Sequence, residues 1–186
     1  LFIPLKFTIE SVFNIFTVPR QLYQIATDPL LRKNHSLEHA TVNVLETEYG
    51  YNGLAGYAED KGFYIMGVNN VELVERAARQ GIGLLKSGHT ELVIHKRCGT
   101  SLTVANLVSS IIFLGLLFYT GYFSILSMIL AIIIANLMGP FLGQFVQEKF
   151  TTSAAVDDME IVSARAVPGN SWNQPVKIFV KTESIP

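Results

Sequence analysis

The chain has 186 residues, 49% of them hydrophobic and 16% charged, with a formal net charge of -1. Together with a mean hydropathy of +0.36, this is too apolar and too charge-poor for an ordinary soluble domain and points to a membrane protein. There is no basic field to hold nucleic acid through its phosphates, and the single cysteine, Cys98, leaves no internal disulfide to form.

Residues 1–33 are read as an amphipathic interfacial helix and linker. Leu5, Ile9, Val12, Phe13 and Phe16 recur at helical spacing, while Lys6, Glu10 and Asn14 fall elsewhere around the axis. Lys6, Glu10 and Arg20 interrupt this opening too often for a secretory signal.

Residues 34–100 read as an extramembrane α+β domain. A helix is predicted over Asn34 to Glu48, with Asn34 as its cap and Leu37, Ala40, Val44 and Leu45 as its inward stripe. Gly50 ends it, and Gly53, Gly56 and Gly62 punctuate a loop that carries Glu59 and Asp60. A short buried strand is expected from Gly62 to Gly67. Asn69 with Glu72 resembles a capping box for a second helix, which turns Val71, Val74, Ala78, Gly81 and Leu85 to one side. His89 reads as a turn residue, and Glu91 to His95 alternates as a strand would before Cys98 and Gly99 lead into the membrane.

Residues 101–147 read as a transmembrane hairpin. No Asp, Glu, Lys, Arg or His falls between Arg97 and Glu148, and at about 20 residues per crossing this gap holds two spans. These are Leu102 to Tyr119 and Tyr122 to Phe145, joined by a turn over Tyr119, Thr120, Gly121 and Tyr122. Asn136, Gly139, Pro140 and Gly143 interrupt the second span, a face suited to a partner helix or to homo-oligomerisation. Neither span holds an ionisable group to carry a proton or ion, which argues against a transport pathway. Lys96, Arg97 and Lys149 flank the hairpin while its turn is uncharged, which places the extramembrane domain in the cytoplasm.

Residues 148–186 supply two strands, Met159 to Val167 and Val176 to Thr182, separated by Pro168, Gly169, Asn170 and Pro175 and joining the extramembrane layer. The expected fold is an α+β membrane protein. It has a small extramembrane helix/sheet layer, a two-helix transmembrane hairpin and an N-terminal interfacial helix.

Three of the four histidines fall in two compact motifs, His35-Ser-Leu-Glu38-His39 and His95-Lys-Arg-Cys98-Gly99-Thr100. On a helix, positions 35, 38 and 39 share a sector of about 100°, so both imidazoles and the carboxylate lie on one face. Two histidines at i and i+4 can grip one divalent metal ion, and imidazole with thiolate suits zinc. The candidate metal ligands are therefore His35, His39, His95 and Cys98. Glu38 is the candidate catalytic residue, a general base beside the ion in the order of the inverted zinc-peptidase signature.

The segments HSLEHATVNVL, GFYIMG and HKRCGTSL resemble an uncharacterised bacterial and cyanobacterial membrane-protein family of unknown function. They are also similar to the H-x-x-E-H and H-x-R-C-G-T-S pair of the YqhQ-type membrane proteins. The likeness covers about Asn34 to Gln147 and leaves the C-terminal strands unmatched; it implies a metal and a hydrolytic activity.

Two functions compete. One is an accessory, assembly or structural subunit of a larger membrane complex, its four donors forming a closed metal site that pins the soluble layer to the hairpin. The other is a membrane-bound zinc-type hydrolase or peptidase with three protein ligands and Glu38 activating water. The first leads, because only the motif argues for turnover. Haem ligation is disfavoured by spans that contain no histidine.

Overall fold

The computed structural model describes residues 2–122, 124–168 and 177–185. In chain order the elements are α1 (Phe2–Thr27), α2 (Pro29–Thr47), β1 (Ala55–Glu59), β2 (Gly62–Met66), α3 (Val71–Lys86), α4 (Gly99–Thr120), α5 (Ile125–Val146), β3 (Met159–Val167) and β4 (Lys177–Ser184).

Asp28 separates the first two helices. Its carboxylate accepts the Leu31 N–H at 3.0 Å and Pro29 occupies the first turn, where a missing N–H costs nothing. The expected cap at Asn34 is thereby corrected: that residue is fully buried inside α2. Its amide donates to the carbonyls of Glu59 and Asp60 at 2.8 and 3.1 Å and its oxygen accepts from the Thr182 hydroxyl at 2.7 Å. One side chain thus ties α2 to a hairpin turn and to β4. The cap of α3 is likewise Asn70 rather than Asn69, accepting from the Leu73 N–H at 3.0 Å.

The sheet runs β1-β2-β4-β3 with every pair antiparallel. α2 lies over β1 and β2, and α3 over β3 and β4. Between helices and sheet, Leu37, Leu45, Phe63, Ile65, Val74 and Val180 form the centre of the core. The outer face instead carries a cross-strand row: Tyr57 stacks on Tyr64 at 4.6 Å, Tyr64 meets Phe179 at 4.8 Å, and Arg165 covers Phe179. Strand β1 lies in the stretch expected to be loop. It is short, mostly exposed and broken by Gly56, so its alternation is weak in sequence and its strand form comes from pairing with β2.

The expected strand at Glu91 to His95 is also corrected. Thr90–Val93 forms a 3₁₀ turn, and the carbonyls of Leu92 and Ile94 accept from the Asn43 amide of α2 at 3.1 and 3.2 Å. Held by the Asn43 side chain, this segment joins no ladder among the described residues. The expected turn residues Gly169, Asn170 and Pro175, and Val176 at the start of the last strand, lie outside the described residues.

Helices α4 and α5 are each long and apolar enough to cross a membrane. Gly121 ends α4 at φ +74°, a left-handed cap that glycine adopts without strain, and Ser124 caps α5. The seam between them is made by small residues. A Cβ on Gly139 would meet Ala105 Cβ at 2.7 Å, and one on Gly143 would meet Ser101 Cα at 2.7 Å, so both glycines are used within the hairpin.

Helix α1 lies along α4. Phe7 packs edge-on against Phe113 at 4.9 Å, and the Asn14 amide donates to the Ser110 hydroxyl at 3.2 Å. Ser110 is 11 residues into α4, roughly 16 Å along its axis from the head end at 1.5 Å per residue, so α1 runs beside the hairpin rather than across its end. The apolar stripe Leu5, Ile9, Val12, Phe13 and Phe16 points outward, while Ser11 is buried. Lys6 and Glu10 are exposed as well, paired at 3.7 Å, and Val18 is buried, so the outward side of α1 is mixed.

Candidate metal centre

One turn of α2 puts His35, Glu38 and His39 side by side. Cys98 caps the opposite element, α4, its sulfur accepting the Thr100 N–H at 3.3 Å. Ligand atoms of His35, His39 and Cys98 lie within 4.8 Å of one another, all three residues are buried, and the group can hold a metal ion. His35 Nε2 is 3.3 Å from the Cys98 sulfur.

Both rings are oriented from behind. The Nδ1–H of His35 donates to the Thr151 carbonyl at 2.9 Å and that of His39 to the Val93 carbonyl at 2.6 Å. A ring protonated on Nδ1 presents the lone pair of Nε2, and metal-ligating histidines are ordinarily held by such a bond. His39 Nε2 is buried without a hydrogen-bond partner among the described residues. Burial, followed by the neighbouring His35, holds the His39 imidazole well below its usual range, which keeps it neutral as a ligand must be. Burial also pushes the Cys98 thiol up, an effect that an adjacent cation reverses.

The Thr151 carbonyl reaches His35 because α5 runs on into a π-turn, Gln147–Thr151. Gln147 is fully buried at that junction. Its oxygen accepts the His95 main-chain N–H at 3.0 Å, and its amide donates to the Ser101 hydroxyl at 2.7 Å. The head layer is thus tied to both helices of the hairpin beside the donor group.

Glu38 flanks the group from inside a low-dielectric pocket. Burial pushes its carboxyl up to about 8, with His35 opposing and Cys98 adding to the rise. The carboxylate lies against β1, where a Cβ on Gly56 would meet Glu38 Oε1 at 2.5 Å. His35, Glu38 and Cys98, with Gly56, Ala58 and Thr100, line a cavity of about 190 Å³.

His95, expected as a fourth donor, lies beside the group instead. Its Nε2 is 3.2 Å from Glu46 Oε2, and its ring centroid is 6.0 Å from that of His39. Three of the four expected donors are brought together. Glu46 went unread in the sequence, yet it follows His35 by 11 residues, about 20° around the axis, and so stands on the same stripe of α2. Val93, Thr151 and Gly56 act through main chain or absent bulk and leave no such signal. The side chains of Glu59 and Asp60 are exposed, outside the group.

Residues 30–164 match the family described as a domain of unknown function, DUF6391, so the match holds both histidine motifs and runs past Gln147 into β3. An uncharacterised protein of the cyanobacterium Picosynechococcus sp. is 32% identical over 136 residues, 66% of this chain and 66% of that protein. The chain therefore spans slightly less than two thirds of that relative's length. No solved structure matches. With residues 30–164 inside the match, the chain belongs to the DUF6391 family.

Proposed function

We propose that this protein is a membrane-anchored, metal-dependent hydrolase, with zinc the ion that two imidazoles and a thiolate suit best. One observation carries the reading: two imidazoles, each fixed by an Nδ1–H to carbonyl bond, converge with the Cys98 thiol, and His35 and Cys98 line a cavity that also holds Glu38. Four protein donors close a structural site, whereas three donors beside a cavity leave a position for water or substrate. His35, His39 and Cys98 hold the ion, which when bound supplies Lewis acidity. The charge of a bound ion would lower the raised Glu38 carboxyl, so that Glu38 takes the proton of the attacking water and delivers it to the leaving group.

In this reading α4 and α5 cross the bilayer, and Lys96, Arg97 and Lys149 hold the head layer on the cytoplasmic side. A reporter fused after Gly121 is expected outside and one fused after Ile185 inside. The reverse pattern would invert the assignment.

A second reading, an accessory or assembly subunit, draws on the outer face of α5, where Leu126, Ile133, Leu137 and Phe141 are exposed and available to a partner helix or a second copy. Metal analysis and turnover separate the two. The wild type is expected to carry stoichiometric zinc, lost in His39→Ala and Cys98→Ser. Glu38→Gln is expected to keep the zinc and lose hydrolysis of p-nitrophenyl acetate. Zinc without any Glu38-dependent turnover would favour the accessory role, and a wild type without stoichiometric metal would end both.

A further inference from the structure

Strand β1 is an edge of the sheet, paired with β2 alone among the described residues. Which of its main-chain groups face outward follows from the ladder. The Thr182 N–H donates to the Lys61 carbonyl at 3.2 Å, so the main chain of residue 61 faces β4. Alternation then turns residues 63 and 65 toward β4 and residues 62, 64 and 66 toward β1. Their partners are Glu59, Tyr57 and Ala55, which leaves the N–H and C=O groups of Gly56 and Ala58 on the free edge. Gly56 and Ala58 line the cavity together with His35, Glu38, Cys98, Gly99 and Thr100.

Resting on the hydrolase reading above, we propose that the substrate is an extended polypeptide segment. It adds to the sheet as a strand along Gly56–Ala58, with the scissile carbonyl over His35, His39 and Cys98. A free strand edge recognises a peptide main chain through its own hydrogen-bond period and is indifferent to sequence, whereas a lipid ester offers no matching donors. Gly56 lets the strand approach Glu38 closely enough for its edge and the carboxylate to serve one cavity. The water oxygen bonds to the carbonyl carbon while Glu38 accepts the water's proton. As the C–N bond breaks, Glu38 returns that proton to the departing nitrogen, leaving a carboxylate and a free amine.

The test uses the full chain in detergent micelles, loaded with zinc, and reduced, carboxymethylated casein as probe, with new termini read by mass spectrometry. Ala58→Pro removes an outward N–H from an edge strand, where proline is tolerated. It is expected to lower kcat/KM roughly tenfold or more, chiefly through KM, at unchanged zinc content. Should Ala58→Pro fail to fold, synthetic substrates methylated at alternate backbone nitrogens give the same reading on the wild type. Methylation at pairing positions should block cleavage and methylation at intervening ones should not. Equal cleavage of both methylated series would overturn the strand-addition proposal. So would Glu38-dependent turnover of p-nitrophenyl acetate or of phospholipid in mixed micelles without any peptide cleavage, and in either case the hydrolase reading stands. Absence of zinc would instead remove the hydrolase reading itself.

Discussion

The imidazole of His35 donates to the carbonyl of Thr151 at 2.9 Å, across 116 positions of sequence. The orientation of a candidate ligand on α2 is therefore set by the main chain leaving α5, and the donor group and the apolar hairpin form one mechanical unit.

That coupling is tested at Gln147. Replacing it with alanine strands the buried His95 N–H and frees the Ser101 hydroxyl, at a cost of about 2–4 kcal/mol. Because the π-turn then loosens around Thr151, zinc affinity in Gln147→Ala should fall by roughly tenfold or more. Thermal unfolding in detergent and competition with a chromophoric chelator measure the two effects. A destabilised variant with unchanged affinity would show that the turn does not position His35.

Gly56→Ala separates metal binding from chemistry. The added Cβ would stand 2.5 Å from Glu38 Oε1 and 2.7 Å from the Tyr64 carbonyl, so the carboxylate has to move. Zinc content should be unchanged, while Glu38-dependent hydrolysis drops by roughly 10–100-fold, the usual consequence of misplacing a reacting group by about 1 Å. Wild-type turnover in this variant would mean that the position of Glu38 is immaterial.

The helix seam gives a paired prediction. Gly143→Val pushes a side chain into Ser101 and should cost about 1–3 kcal/mol, whereas Gly115→Ala meets nothing within 4 Å and should be neutral or stabilising by up to about 1 kcal/mol. Unfolding of the two variants in the same micelle compares them directly.

Acid sensitivity is expected at Asp158. Hydrogen bonds from Lys33 at 2.7 and 2.8 Å hold its carboxyl below the usual carboxylate range, with the Ser184 hydroxyl adding at 3.1 Å. A carboxyl depressed in the folded state contributes stability above its unfolded pKa and loses it as pH falls through the folded one. Asp158→Asn should therefore leave a flatter stability profile on the acid side, measured as Tm against pH. An unchanged acid limb would place the sensitivity elsewhere.

Much of the donor group was legible because helical spacing needs no tertiary knowledge: His35, Glu38 and His39 follow from positions on one helix, and Cys98 from its place ahead of the first span. His95 was legible as a residue but not in its role, since only the packed structure shows its Nε2 committed to Glu46. The strand at Ala55–Glu59 escaped notice because an exposed, glycine-interrupted edge has little hydrophobic alternation. The segment Thr90–Val93 misled for the opposite reason: it alternates, but Asn43 takes the carbonyls of Leu92 and Ile94 that a ladder would need.

By itself the amino-acid order determined the two apolar helices, the covered helix faces and the residues able to bind a metal, because length, period and donor chemistry are local properties. Only the tertiary structure decided which donors meet, that α1 turns its apolar stripe outward along α4, and that the edge of β1 opens beside Glu38. Those relations rest on hydrogen bonds and close approaches between segments far apart in the chain, where geometry depends on packing and no local pattern records it.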